Sequence, residues 1–464
     1  MIHNIDPRAI AGLTEYEAEA FRHLIDIFND HAAKNEEKDR YYEGKISLGS
    51  VNLGIALPEG MRGLEIGCAW GAKCVDVLAA RSMFDGFVGT YGEDVEQLDR
   101  LAADNRLVAE YMKTCRDELK YGCSFATLSE DEEIGCKIRF HSPESAAAEW
   151  DGDKGRIAYG MAIIDYAPGL QGHKWEPSVI HLHLDYASLV FTRSSGSTRW
   201  GFTRYPHRMG RPLMEPLIWN ATSRKPFGRS RIKEPVRRLI QGYVRTIANA
   251  TIGLEFSTAP QKYILGITDE QYDALINQKF KQYVGNMLAA TSNPDTGEKP
   301  SFGQLPQGSI APHVEMIRVL ATQFSAATGL TVTDTGVVSE ANPTSSDAIL
   351  AQSQTLVNMA EQLNTGNGDS LRTIALMALA ILNGSTVEEL PEEDRQVIAH
   401  FKNPAMPSVA VTADAAIKIA TVRPGFAGTD TFLEMIGFDQ ADVRRIKAQE
   451  ALGRGRETLT ELGI

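Results

Sequence analysis

The stretch that most constrains this chain is a helical period running unbroken from 232 to 255. Ile232, Val236, Leu239, Ile240, Tyr243, Val244, Ile247, Thr251 and Leu254 recur mostly at steps of three and four, which places them on one helix face. At about 1.5 Å per residue the segment makes a rod roughly 36 Å long. Ser230 carries a capping oxygen, Pro235 falls near the first turn where a missing N–H does least harm, and Pro260 stops any continuation. The opposite face holds Arg231, Lys233, Arg237, Arg238 and Arg245, with Arg229 just ahead. A second helix is expected over 310–328, with Val314, Ile317, Leu320, Ala321, Phe324 and Ala327 on one side and Gly329 closing it. It should return antiparallel to the first.

Charge bears on what such a pair contacts. Between 204 and 245 eleven lysines and arginines stand against two acids, Glu215 and Glu234, so this stretch is +9 in a chain of net charge −13. So acidic a chain is no free-standing nucleic-acid binder held by bulk electrostatics. A basic belt within it fits nucleic acid, a neighbouring subunit or a solvated face, and the sequence leaves these open. Cys68, Cys74, Cys115, Cys123 and Cys136, odd in number and without zinc spacing, fit synthesis in a reducing cytoplasm. The first residues show no basic-then-apolar leader. The most apolar run, 374–382, is far short of the roughly 20 residues that span a bilayer, so no membrane partner is expected.

Ahead of the pair, a helix is expected over 14–42, where Ala20, Phe21, Leu24, Ile25, Ile27 and Phe28 cluster before Tyr41-Tyr42 and Gly44. Leu64-Glu65-Ile66-Gly67-Cys68-Ala69-Trp70-Gly71 is similar to the glycine loop of S-adenosylmethionine-dependent methyltransferases, where Glu65, Gly67 and Gly71 would serve the cofactor. That loop needs a buried strand before it and an acid-ended strand about twenty residues on. Pro58-Glu59-Gly60 leaves almost no room for the first. A helix at 75–81, then a turn at Phe84-Asp85-Gly86-Phe87, replaces the second. A methyltransferase is therefore the runner-up function.

A helix over 95–119 contains Asn105-Arg106-Leu107, and alternation over 138–193 predicts an antiparallel sheet. There His181, His183 and Asp185 share a strand face and could converge on a metal. Position 186 is tyrosine where hydrolytic sites of this type add a histidine, and distal ligands are scarce, so no metal is assigned. A strand over 261–267 and a short helix opened by Thr268-Asp269-Glu270-Gln271 lie between the two long helices. After the pair come a loop over 330–345, one helix reaching Leu363, another over 369–382, and an acidic boundary at Glu388-Glu389-Leu390-Pro391-Glu392-Glu393-Asp394. Helices follow over 413–419, 431–436 and 440–459. No Gly-x-x-x-x-Gly-Lys-Ser/Thr, Gly-x-Ser-x-Gly or His-Glu-x-x-His motif occurs, so neither an enzyme nor a cofactor is the first reading.

Gly228-Arg229-Ser230-Arg231-Ile232, the long helix, Glu255, Ala259-Pro260-Gln261-Lys262-Tyr263 and Leu265-Gly266 resemble, in that order, the stem-entry region of portal proteins of tailed bacteriophages with long non-contractile tails. The likeness continues by segment order through Tyr41-Tyr42, Trp70 with Val75-Asp76, His207 with Gly210-Arg211, and Asn342-Pro343 with Ser345-Ser346-Asp347. It implies an α+β portal-type subunit. A mixed α/β wing would cover 1–229, a first stem helix 230–256, a small α/β clip 257–308 and a second stem helix 309–329. The tunnel loop and wing helices would cover 330–385, and a helical crown 386–464.

The function implied is a ring, usually of about twelve subunits, at one capsid vertex of the virion, through which double-stranded DNA is packaged and ejected. Implied partners are other copies of the chain, that DNA, the terminase large subunit, the major capsid and scaffold proteins, and a head-completion adaptor. Thr335, Ser339, Glu340, Asn342 and Ser345 would meet DNA in the tunnel loop. Arg229, Arg231, Lys233, Arg237, Arg238 and Arg245 would meet DNA or a neighbouring subunit. A head component that never touches DNA is a third reading.

Overall fold

The computed structural model describes all residues except 1, 3–4, 48–64, 90–95, 170–174, 259–261, 267–296, 298, 300, 305–308, 338–345, 406–408, 439 and 462–464. Helix α1 (Glu15–Tyr42) starts at a reciprocal cap: the Glu17 N–H donates to Thr14 Oγ1, and the Thr14 N–H donates to the Glu17 carboxylate. Short strands β1 (Lys45–Ser47) and β2 (Glu65–Gly67) pair antiparallel, and α2 (Trp70–Ala79) and β3 (Phe84–Gly89) follow. Phe84-Asp85-Gly86-Phe87, expected to turn, is thus extended.

Two helices, α3 (Glu96–Asp104) and α4 (Leu107–Tyr121), stand where one was expected. The break lies at Asn105 and Arg106, the latter left-handed at φ 52°. Buried Asn105 donates to the Leu101 and Cys136 carbonyls and accepts the Ile138 N–H, so its side chain ties the helix end to a strand edge. Satisfying those buried backbone groups outweighs two more residues of helix.

Strands β4 (Cys123–Asp131), β5 (Gly135–His141), β6 (Ala146–Asp151), β7 (Arg156–Pro168), β8 (Trp175–His183), β9 (Ala187–Thr192), β10 (Gly201–Pro206) and β11 (Met214–Ile218) form two antiparallel sheets. Their orders are β11-β4-β5 and β10-β9-β8-β7-β6. The alternation of apolar positions is visible in β9, where Ala187, Leu189 and Phe191 are buried and their neighbours are not. That face seals the apolar stripe of α1, with Phe21 stacked on Phe191 at 4.5 Å.

Helix α5 (Glu234–Thr258) leads to β12 (Lys262–Leu265), which pairs antiparallel with β13 (Ser301–Gln304); α6 (Ala311–Thr328) then returns. Leu320 lies beside Gly242, and Thr328 lies level with Arg231, so the two helices are antiparallel. Ser230 does not cap α5, which starts four residues later. Its hydroxyl accepts the Ile232 N–H in the turn ahead. Gly329 ends α6 in the left-handed conformation at φ 73°. The short helix expected from Thr268 lies outside the described residues.

The next segment corrects the sequence reading. Helix α7 (Ser346–Leu382) is continuous through Thr365-Gly366-Asn367-Gly368, where two helices had been expected. Its low local propensity is offset by packing. Gly366 passes the Ile218 carbonyl, Gly368 faces the Phe401 ring, and Asn367 is fully buried with its Nδ2 donating to Tyr111 Oη and Glu118 Oε2. After the single-turn α8 (Glu392–Arg395), strand β14 (Val397–Phe401) pairs with β3, and Phe401 joins Phe84 and Tyr111 in an aromatic cluster. The stretch expected to form a helical crown from 386 thus also holds a strand, and its later part is mainly helical among the described residues. That part comprises α9 (Val409–Val422), α10 (Asp430–Ile436) and α11 (Gln440–Glu461).

Candidate functional site

The site is the junction where the sheets hand over to the helix pair. Gly122 ends α4 at φ 112°, and Gly228 sits against it at φ 69°; a Cβ on Gly228 would collide with the Trp219 carbonyl. This close crossing lets Trp219 N–H donate to Gly122 O and Arg229 N–H to Trp219 O, both at 3.0 Å. Arg231 N–H donates to Leu119 O at 2.9 Å, and the Ser230 hydroxyl to Lys120 O. The last carbonyls of α4 are thus satisfied by the segment that enters α5.

Arg231 is the centre of this junction and is only 6% exposed. Its Nε donates to Cys74 O in α2, its Nη2 to Thr328 O at the end of α6 at 2.7 Å, and its guanidinium lies 5.8 Å from the Trp219 ring centre. Burial pushes its pKa down, with Cys74 working the other way. Arg231 therefore leaves the basic belt in which the sequence placed it: helical spacing put it on the polar side, but it lies ahead of α5 and turns inward. Arg237 also turns in, donating to Ile232 O at 3.1 Å with Glu37 at 3.7 Å.

Arg229, Lys233, Arg238 and Arg245 remain on the surface, and Arg238 meets Glu234 at 3.1 Å. Such an exposed pair contributes little stability. Alongside them lies a groove of about 870 Å³ between α1, the start of β4, β6 and the 225–237 segment. Lys34, Lys225, Arg229 and Lys233 contribute to its lining, together with Phe28, Phe125 and Phe227. Sequence reasoning missed Lys34, Phe28 and Phe125 because they come from α1 and β4, about a hundred residues or more away.

Of the expected tunnel-loop residues, Ser339, Glu340, Asn342 and Ser345 lie outside the described residues. Thr335 is described, and it is buried: Trp70 Nε1 donates to its carbonyl at 3.1 Å, and its hydroxyl donates to Val332 O. Trp70 itself is packed between Tyr243 and Phe324, with ring centres at 4.6 and 4.9 Å. Thr335 is thus a root of the loop and not a surface for DNA.

The glycine loop at 64–71 also takes another role. Its strand β2 belongs to a two-stranded antiparallel ribbon, where the methyltransferase reading required a parallel sheet. A Cβ on Gly71 would collide with the Tyr41 carbonyl, so this glycine admits α1 against α2 rather than a cofactor. Gly71→Ala should destabilise the subunit by about 3 kcal/mol, read as a fall in the denaturation midpoint. An unchanged midpoint would show that the helices can separate freely here.

The histidines of β8 are likewise built into packing. His183 is buried and its Nδ1 meets Ser188 Oγ at 3.0 Å; His141 Nε2 meets Thr127 Oγ1 at 2.9 Å. Burial, aided by nearby positive charge, holds both His141 and His181 down to about 4. Asp185 is exposed. Among the described residues no three histidine, cysteine or acidic side chains are grouped to hold a metal. Nor, among them, is any helix long and apolar enough to cross a membrane.

Residues 22–452 match the profile of a family described as phage portal protein, SPP1 Gp6-like. No curated protein sequence matches the chain. Similar solved structures include the neck of an empty gene transfer agent particle computed with C6 symmetry, 13% identical, covering 77% of this chain and 86% of that chain at a TM-score of 0.46. The virion of the native gene transfer agent particle matches at the same identity and coverage with a TM-score of 0.43. An HK97 family phage portal protein from Corynebacterium diphtheriae is 11% identical and covers 72% of this chain and 90% of that chain, with a TM-score of 0.33.

Proposed function

The chain belongs to the SPP1 Gp6-like family of phage portal proteins, and from that membership we propose a closed ring of about twelve copies at one vertex of the virion, with DNA passing through its centre. The observation that carries the ring is the surface of the helix pair. Leu254 on α5 and Val314, Met316 and Val319 on α6 are 43–47% exposed although the pair has already buried its shared face. Apolar side chains left outside such a pair fit a neighbouring pair packed beside it. In this reading α5 and α6 are the stem, the β12–β13 ribbon is the base of a clip that docks the packaging motor and later the adaptor, and β14 returns the chain to the wing before the crown.

The role is structural, and no catalytic step is assigned. A channel that lets a duplex slide should hold few phosphates tightly, because each one neutralised strengthens the grip. The net charge of −13 suits that need. DNA contact is assigned to 338–345, which leaves the buried Thr335 as its anchor.

Native mass spectrometry of the purified chain should show one closed oligomer near a dodecamer. Deleting 338–344 should leave that oligomer intact and abolish packaging or retention of DNA. A chain that is monomeric at all salt concentrations overturns the ring. A deletion that packages normally overturns the assignment of the loop.

A further inference from the structure

The basic groove has an acidic counterpart on the same subunit, too far away for the two to meet within one chain. The groove is lined by Cys123 and Phe125, at the start of β4. The other end of β4 runs into the turn Glu130-Asp131-Glu132-Glu133, in which all but Asp131 are exposed. Eight strand steps at about 3.4 Å separate the two by roughly 27 Å.

Helix α7 gives a second ruler. Gly366 lies beside Ile218, the ladder partner of Cys123, and Leu382 lies against Gly135 at the β4–β5 turn. Sixteen helical steps make about 24 Å, which agrees. From that far end the chain continues into Glu388, Glu389, Glu392 and Glu393, all exposed. Arg372 then draws the segment back, donating to Arg395 O at 2.7 Å.

Both ends are unsatisfied in charge. Lys34, Arg229 and Lys233 make no ion pair with any described residue, and neither do Glu388, Glu392 and Glu393. A surface complementary to a different patch on an identical molecule makes a head-to-tail contact, and repeated head-to-tail contacts close into a ring when the rotation permits. The phenylalanines among the groove's lining offer nothing to phosphates, whereas exposed Pro391 and Ile398 at the acidic end can cover them.

We infer that the groove receives the acidic end, Glu388–Glu393 with the β4–β5 turn, of a neighbouring copy of this chain. This rests on the ring reading and specifies which surfaces make the ring. The chain carrying Lys34→Glu, Arg229→Glu and Lys233→Glu should need on the order of a hundredfold more protein to assemble at physiological salt. The chain carrying Glu388→Lys, Glu392→Lys and Glu393→Lys should show the same defect. All six positions are exposed, so circular dichroism should show both folds intact.

Mixed in equal amounts, the two variants should assemble again, since each groove then meets an end of opposite sign. Variants that assemble as readily as the parent, or a mixture that stays apart, overturn the pairing and leave the ring standing. A parent chain that never assembles overturns the ring, and the pairing with it. Groove reversal that spares the ring but releases packaged DNA would overturn the pairing by assigning the groove to nucleic acid.

Discussion

Arg231→Met should destabilise the unassembled subunit by about 3–5 kcal/mol, the largest loss expected from any single side chain at the junction. The methionine keeps most of the buried apolar stem, so the loss isolates the guanidinium. Without it the Thr328 carbonyl loses its side-chain donor, while the Cys74 carbonyl, inside α2, loses the added bond and keeps its helical one. Each charge-assisted bond to such a group contributes about 1.5–3 kcal/mol, and the orphaned acceptor adds its own desolvation cost. The buried cation's own desolvation offsets part of the sum, which is why the lower end is realistic. Arg231→Lys should recover little, because a single ammonium cannot span two carbonyls as a planar fork does. Urea denaturation below the assembly concentration should show a lower midpoint at unchanged slope. Hydrogen exchange should quicken first at the end of α6. A loss under about 1 kcal/mol would show that the junction is held by the glycine crossing alone.

The second large effect is a dependence of stability on pH, centred on Glu118. This carboxyl is fully buried beneath α7, where Asn367 Nδ2 donates to Oε2 at 2.7 Å and to the Tyr111 hydroxyl at 2.9 Å, while Oε1 has no partner. Burial pushes its pKa up to about 8, against a modest opposing effect of the Asn367 bond. The folded state therefore holds this proton while the unfolded chain releases it near its ordinary value of 4.5. The unfolded state is favoured progressively as pH rises from there, and the loss is complete above about 8, amounting to roughly 5 kcal/mol.

Glu118→Gln removes the proton exchange and keeps the size and the bond from Asn367. It should raise the denaturation midpoint at pH 8 and leave stability at pH 4 nearly unchanged. Burial pushes Glu215 up to about 7, against the nearby Arg211, so it titrates in the same range and the informative quantity is the difference between variant and parent. Parallel pH profiles for the two would show that Glu118 is ionised in the folded protein.

Where one side chain settles a local structure, that structure was legible in the sequence. Gly329 marks the end of α6, the apolar cluster over 20–28 the buried face of α1, and the three-and-four spacing of 232–254 gives the helix pair its shared face. What was not legible depends on partners distant in sequence. Gly366 and Gly368 read as a break because propensity is local, yet α7 continues there because Asn367 between them is fully buried and bonded to Tyr111 and Glu118, partners some 250 residues away. Asn105 read as an interior helix position and is a clasp on Cys136 and Ile138.

The basic belt was half legible. Periodicity identified a charged face but carries no information on what packs beyond it, so Arg231 and Arg237 could not be told from Lys233 and Arg238 before α1, α2 and α6 were in place. The acidic run at 388–394 was read as a boundary. Its meaning as a surface emerges only from the lengths of β4 and α7, which set it against a groove assembled from α1 and β4.

The antiparallel register at the far end of the helix pair has a further consequence. Leu265 and Ser301 are ladder partners, so the chain leaves and re-enters the ribbon about 5 Å apart. Among the described residues the α5–α6 pairing rests on its own contacts, with Leu320 beside Gly242 and Arg231 bonded to Thr328 O. The segment between Leu265 and Ser301 can be lengthened, trimmed or exchanged in evolution without disturbing the α5–α6 pairing. The end of that ribbon is where an engineer would graft a foreign loop.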